Sequence, residues 1–200
     1  KIDSSKGVNI SLPVQFNSHR NPIFYDTTKP INEYYRSDNT EYDIKKGAGC
    51  SVPKITMNVH CCGTHTETAA HVYKDSHYIN EIDNLNFIPS QLITVTPKNN
   101  STEQYHVKID QGDKLITRDI IRDAIDIHSK CLHGIIIRTE PNEEDKKYRN
   151  YNKTKHPFFT NDAINYIKGL GVRHLVVDTP SIDRFDDGGY LYNHKIFFTD

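Results

Sequence analysis

The chain has 200 residues, which is enough for a domain with a sizeable buried core. Hydrophobic residues make up 36% of the sequence and charged residues 26%, a balance typical of a soluble, globular protein. The formal net charge is -1 and basic residues are spread among acidic ones, so we expect no nucleic-acid partner. No apolar run approaches the ~20 residues of a membrane-spanning helix, so we expect no membrane partner either.

Four cysteines occur, at positions 50, 61, 62 and 131. They make a poor disulfide framework, because two adjacent cysteines rarely both find partners. The cysteine pattern therefore favours a reducing compartment, and we expect a cytoplasmic protein.

The N-terminal quarter is predicted to hold one strand and a long excursion. Residues 8–16 alternate between apolar and polar types, which is typical of a strand. Residues 17–49 are rich in Asn, Asp, Pro, Tyr and charge, which indicates an excursion from the core. Four aromatic residues in it either cover a pocket or simply anchor the loop to the body of the protein: Phe24, Tyr25, Tyr34 and Tyr35.

Three further strands are predicted downstream of this excursion. The clearest is Lys54–Val59, in which every second residue is apolar and the others are polar. Leu92–Thr96 and Tyr105–Ile109 are two short candidates separated by a polar turn.

The C-terminal half alternates between predicted helices and buried strands. Thr117 is a helix N-cap followed by apolar residues at helical spacing, and Thr160 begins a second helix of the same kind. The apolar runs Gly134–Thr139 and Val172–Asp178 are typical of strands buried on both faces. This order predicts parallel crossover units and an α/β domain with a mixed sheet.

The densest group of chemically active side chains lies between His60 and His71. Three histidines, two cysteines and one glutamate occur there, interrupted by a Gly-Thr turn. Zinc is held by thiolate, imidazole and carboxylate groups. If the strand through Val59 continues by one residue, Cys61 points inward and His60 outward. The alternation therefore favours Cys61, His65 and Glu67 as ligands, with His60 as the alternative to Cys61.

His71 follows Glu67 by four residues, with two alanines between, which places it on the same side of a helical turn. It is predicted to be a second-metal ligand or a general base, since imidazole titrates near neutral pH. The alternative for each of these histidines is an ordinary packed or surface role.

The segment Gly63–His71 resembles the signature His-x-Gly-Thr-His-x-Asp-x-x-x-His of the putative cyclase family, which includes bacterial kynurenine formamidases and isatin hydrolases. Other segments resemble the family in the same order, so the resemblance covers about residues 8 to 198. These segments are Ile10–Leu12, Phe87–Pro89, Ile116–Thr117, Ile137–Thr139, His156–Phe159, Gly171–Arg173 and Val177–Asp183.

The resemblance implies a single domain over residues 1–200 with the swivelling β/β/α fold of this family, assembled as a homodimer. It also implies one or two divalent metals, zinc or manganese, in a site that cleaves an amide bond. By position, His65 matches a ligand histidine and His71 a second-metal ligand or acid/base group. His194 resembles the family's C-terminal ligand histidine.

The sequence departs from the family pattern at three points. Cys61 stands where the family has its first ligand histidine, and a thiolate there favours zinc over manganese. Glu67 stands where the family has an aspartate, which is one methylene shorter. A later glutamate ligand of the family would fall beyond Asp200, so we expect one zinc rather than two.

The resulting hypothesis is a metal-dependent amide hydrolase of the kynurenine-formamidase type, an enzyme of tryptophan catabolism. Metal-bound water would attack a formyl or ring amide carbonyl of a small aromatic substrate, with His71 as the acid/base group. The alternative is a non-catalytic relative that binds a metal or an aromatic ligand without turnover. Asp178 and Asp183 are predicted either to orient ligands or to cap the loops that follow them.

Overall fold

The computed structural model describes residues 4–25, 27–82 and 87–199. The chain splits into two compact units, one formed by residues up to 65 with Glu144–Asn152, the other by Thr66–Glu143 and the residues from Lys153 on. The single domain predicted for residues 1–200 stays a prediction. Across the described ranges, none of the helices has the length and apolar character needed to cross a membrane.

The first unit contains two small antiparallel sheets. Strand β1 (Ile31–Tyr34) pairs with β4 (Pro53–Thr56), and β2 (Arg36–Ser37) pairs with β3 (Thr40–Glu41). The predicted excursion at 17–49 therefore carries three short strands that its polar composition did not indicate.

Strand β4 is shorter than predicted, and its alternation does not define a buried side. It ends at Thr56, and a 3-10 helix over Val59–Cys61 replaces the predicted continuation. All four β4 residues are exposed, and Ile55 retains 56% of its accessible surface. Strand alternation therefore gives no preference for Cys61 over His60 as a ligand, and the choice between them stays open.

Two other predicted strands are absent from the described residues, those at 8–16 and 105–109. Val8 and Ile10 are 83% and 65% exposed, and Leu12, Val14 and Phe16 are half-buried without belonging to a strand. Tyr105 instead packs its ring on Phe158, with centroids 4.7 Å apart. Alternation predicts a strand only where a partner strand is available, and neither segment pairs with one.

The second unit is built on parallel strands. Strands β5 (Ser90–Val95), β7 (Gly134–Thr139) and β9 (His174–Val177) form a three-stranded sheet in the order β5-β7-β9. A second parallel pair joins β6 (Leu115–Ile116) to β8 (Phe158–Phe159). The predicted β7 is confirmed in full, and β5 and β9 are confirmed with slightly shifted ends.

Both predicted helices are confirmed, because their capping signals are local. Helix α1 (Arg118–Ala124) begins after Thr117, whose hydroxyl accepts a hydrogen bond from the Ile120 N–H. Helix α2 (Asn161–Gly169) begins after Thr160 in the same way. A third helix, α3 (Tyr192–Phe198), was not predicted.

The core of the second unit lies between its three-stranded sheet and its helices. The buried members of this core are Ile93, Val95, Ile116, Ile121, Ile125, Ile135, Ile137, Phe159, Ala163, Ile164, Ile167, Val172 and Ile182. Ile135 and Ile137 of β7 are 0% and 1% exposed, whereas Ile136 between them is only half-buried. The middle strand is therefore buried more completely on the helix side.

His156 is a buried histidine of this unit. Only 4% of its surface is accessible, and its Nδ1 lies 2.9 Å from the Pro157 carbonyl oxygen. Burial lowers the pKa of His156 to about 4, because the charged imidazolium loses its hydration.

The low pKa of His156 predicts acid sensitivity. An unfolded histidine titrates near 6.5, so this group's contribution is complete above that pH and is lost as the pH falls toward about 4. The loss amounts to about 3 kcal/mol at 1.36 kcal/mol per pKa unit. Urea unfolding near pH 7 and near pH 4 would measure it against a His156→Gln control, in which we expect a smaller loss. Equal losses in both proteins would contradict the assignment.

Candidate metal centre

Glu67, His71 and His194 converge in the second unit. Each offers a ligand atom, and these atoms lie within 4.8 Å of one another. The Glu67 carboxylate lies between two imidazoles, with Oε1 3.9 Å from His71 Nε2 and Oε2 3.4 Å from His194 Nε2. The two rings meet edge to face at a centroid distance of 5.6 Å.

The three residues of this group come from two different parts of the chain. Glu67 precedes a 3-10 helix over Ala69–His71, which turns the chain so that His71 returns toward the glutamate, as the four-residue spacing predicted. His194 lies in the first turn of α3. The His71 side chain is 26% exposed and the His194 side chain 8%, so the group is open to solvent on the His71 side.

Two buried aspartates position α3 and therefore His194. The residue that precedes the helix, Leu191, adopts a left-handed conformation and makes no side-chain cap. Asp183 instead accepts from the N–H groups of Asn193 (3.0 Å) and His194 (3.2 Å), and Asp187 accepts from the N–H of Leu191 at 2.6 Å. These bonds satisfy the N–H groups that a helix start leaves unpaired.

Asp183 also binds the imidazole of His194. Its Oδ2 lies 2.7 Å from His194 Nδ1, and both side chains are buried. Burial by itself would lower the pKa of His194, but the hydrogen bonds to Asp183 and Glu67 outweigh it and raise the pKa to about 9. Asp178, by contrast, accepts from the N–H and the hydroxyl of Thr139 at the end of β7.

The remaining predicted ligands, Cys61 and His65, belong to the first unit. Cys61 ends the 3-10 helix over Val59–Cys61, and partial burial raises the pKa of its thiol. The ring of His65 packs edge-on against that of His60 at a centroid distance of 5.0 Å, and its Nδ1 lies 3.0 Å from the Gly63 carbonyl. Gly63 has a φ of 92°, so the predicted sharp turn is present.

A second group, His106, Asp183 and Asp187, also has ligand atoms within 4.8 Å of one another. No local pattern in the sequence indicates this group, because His106 lies far from the two aspartates in the chain. The hydrogen bonds of two asparagine amides indicate which ring nitrogen of His106 accepts a hydrogen bond. Asn193 donates from Nδ2 to two backbone carbonyls, those of Phe159 (2.8 Å) and Ile182 (3.0 Å), which leaves its Oδ1 to accept from Asn161 Nδ2 at 2.7 Å.

The same Asn161 nitrogen lies 3.4 Å from His106 Nδ1. An amide nitrogen only donates, so Nδ1 of His106 accepts and the neutral ring carries its proton on Nε2. That nitrogen is 3.5 Å from Asp187 Oδ2. In that tautomer Nε2 has no lone pair for a cation, so this group is the weaker of the two candidates for a metal.

The first group has the chemistry of a metal site. Two imidazoles and a carboxylate are a ligand set found in catalytic zinc sites, which keep a further position open. His194 binds Asp183 through Nδ1, which directs its other nitrogen toward Glu67. The residues therefore fit a divalent metal held by Glu67 and His194, with His71 beside them as a third ligand or as a proton-transfer group. Nitrogen and oxygen ligands suit manganese as well as zinc.

Comparisons with known proteins agree with this fold. A family model described as "Putative cyclase" matches residues 8–184. A solved structure described as a predicted metal-dependent hydrolase from Bacillus stearothermophilus is similar with a TM-score of 0.54 and 18% identity, covering 94% of this chain and 75% of that one. At this identity the likeness shows the fold alone, and it confirms the predicted α/β, cyclase-like fold. No curated protein sequence matches the chain.

The raised pKa of His194 predicts that zinc affinity depends on pH. Zinc binds the neutral imidazole and must displace a proton, so below the pKa of about 9 the apparent affinity should rise about tenfold per pH unit. Chelator competition from about pH 7 to about pH 8.5 would measure this. In His194→Gln we expect weaker binding and a flatter profile. A wild-type profile as flat as that of the variant would contradict the role of His194.

Proposed function

Because this chain belongs to the putative cyclase family, as its motif predicted, we propose that it is a metal-dependent hydrolase that cleaves amide bonds. The observation that carries the proposal is the convergence of Glu67, His71 and His194 around a space that a divalent metal would fit. The description of the Bacillus protein as a metal-dependent hydrolase supports the same reaction class.

The three residues differ in a way that divides their roles. His194 is buried, and its two ring nitrogens face Asp183 and Glu67, so it serves as a fixed ligand. His71 has the more exposed side chain, at 26%, and can exchange protons with substrate and solvent. We therefore propose that Glu67 and His194 hold the metal and that His71, beside them, is the acid/base group that passes a proton to the leaving nitrogen.

Glu67 contributes the negative charge of the site. Its two oxygens face the two imidazoles, so it can hold a cation between them and keep both rings in place. A divalent metal bound there would polarise a carbonyl group and lower the pKa of a water molecule toward ~7.

The substrate that we propose is a small aromatic amide, in particular an N-formyl aromatic amine, by analogy with kynurenine formamidases. Zinc as the metal, Cys61 and His65 as further ligands, the homodimer and the cytoplasmic location stay predictions from the sequence.

Metal content and the His71 side chain together test the hydrolase. We expect about one zinc per chain, and loss of N-formyl aromatic amide hydrolysis on chelation that zinc restores. His71→Ala should lower kcat by about 10² to 10⁴, the usual contribution of an acid/base group.

The matched control is His77→Ala, since the His77 side chain is 90% exposed on the same segment of chain. It should keep wild-type kcat and zinc content. Hydrolysis by the metal-free protein, or unchanged turnover in His71→Ala, would contradict the proposal.

A second candidate is a family member that binds an aromatic amide without cleaving it. Glu67, which replaces the family's aspartate, favours this candidate, since its extra methylene changes how far the carboxylate reaches between the two imidazoles. Saturable binding of an aromatic amide by calorimetry, with no product after prolonged incubation of the zinc-loaded protein, would select it.

A further inference from the structure

We propose that Asp183 is a positioning residue that selects the metal-binding tautomer of His194. This inference rests on the proposed metal site of Glu67, His71 and His194. The metal is held by His194, and Asp183 acts through that histidine without itself contacting the metal or the substrate.

The Asp183 carboxylate holds both the backbone and the ring of His194. Its Oδ2 accepts from the His194 N–H at 3.2 Å and faces the ring nitrogen Nδ1 at 2.7 Å. Its Oδ1 accepts from the Asn193 N–H at 3.0 Å, which fixes the plane of the carboxylate. The imidazole is therefore oriented by a group that is itself bonded to the helix carrying it.

A further donor contacts the same oxygen, Oδ1. The Tyr105 hydroxyl lies 3.2 Å from Asp183 Oδ1 and accepts the N–H of Arg184 at 2.8 Å. Asp183 is fully buried, so no solvent competes for its oxygens. An ionised carboxylate only accepts hydrogen bonds, so the proton of the neutral imidazole lies on Nδ1.

Without Asp183, the surroundings of His194 would favour the wrong tautomer. Glu67 Oε2 lies 3.4 Å from His194 Nε2, and a carboxylate there attracts the ring proton to Nε2. A protonated Nε2 has no lone pair for a metal. Asp183 opposes this by holding the proton on Nδ1, and carboxylates that bind ligand histidines in this way tune metal affinity.

The test compares Asp183→Asn with Asp178→Asn by chelator competition for zinc. Asparagine has one acceptor oxygen, so at position 183 it cannot accept at once from two backbone N–H groups and the imidazole. We expect a zinc affinity about 10- to 100-fold below wild type. Asp178 is a carboxylate of the same unit that accepts from the N–H and the hydroxyl of Thr139 instead, so its variant should bind zinc within about threefold of wild type.

Circular dichroism and thermal melts of the metal-free proteins accompany the comparison. A zinc affinity in Asp183→Asn equal to that of wild type would overturn the inference, and so would an equal loss in both folded variants. If Asp183→Asn fails to fold, a measurement on the wild type decides. In long-range proton–nitrogen NMR spectra of the zinc-loaded protein, we expect His194 to carry its proton on Nδ1. Zinc bound at Nδ1 would overturn the inference.

The outcomes separate this inference from the proposed hydrolysis. Zinc binding that depends on Asp183, in a protein that cleaves no amide, would support the positioning role and contradict the hydrolase. Amide hydrolysis, together with a zinc affinity that Asp183→Asn leaves unchanged, would support the hydrolase and contradict the positioning role. A wild-type protein that binds no zinc would overturn both.

Discussion

The buried carboxylate of Asp183 is the constraint on which the candidate site depends. A charge removed from water is costly unless it is hydrogen-bonded, and this one faces four donor groups on Tyr105, Asn193 and His194. Two of those groups belong to the backbone at the start of α3, and one belongs to the ring of a proposed metal ligand. The Asp183 carboxylate therefore caps the start of α3 and orients the His194 imidazole. The raised pKa of His194 favours the charged imidazolium, which compensates the buried charge of the carboxylate.

This arrangement explains how a short helix can hold a functional side chain in place. Helix α3 has seven residues, too few to be stable by itself, and its preceding residue supplies no cap. The caps come from Asp183 and Asp187 in the loop before it. His194 is thereby held opposite Glu67 and His71, which arrive from a turn more than a hundred residues earlier in the chain.

Much of the second unit could be predicted from the sequence, because its signals are local. Thr117 and Thr160 cap the helices that follow them, and the apolar run Gly134–Thr139 is the middle strand of a parallel sheet. The alternation of apolar and polar residues predicted strands less well. The segments at 8–16 and 105–109 alternate without pairing as strands, and β4 alternates without burying either side. Alternation describes which residues a sheet would bury, and a sheet forms only where a partner strand is present.

The sequence by itself determined the family, the α/β class and the ligand types, since the motif around His65 and His71 and the order of helices and strands are written along the chain. Resemblance to the family also indicated His194 as a ligand, but it did not identify the partners of that histidine. Only the tertiary structure decided that His194 faces Glu67 with Nε2 and Asp183 with Nδ1, whereas His106 faces the Asn161 amide with Nδ1. The difference lies in the partners that folding brings to each ring: the Asp183 carboxylate accepts from His194, and the Asn161 amide donates to His106.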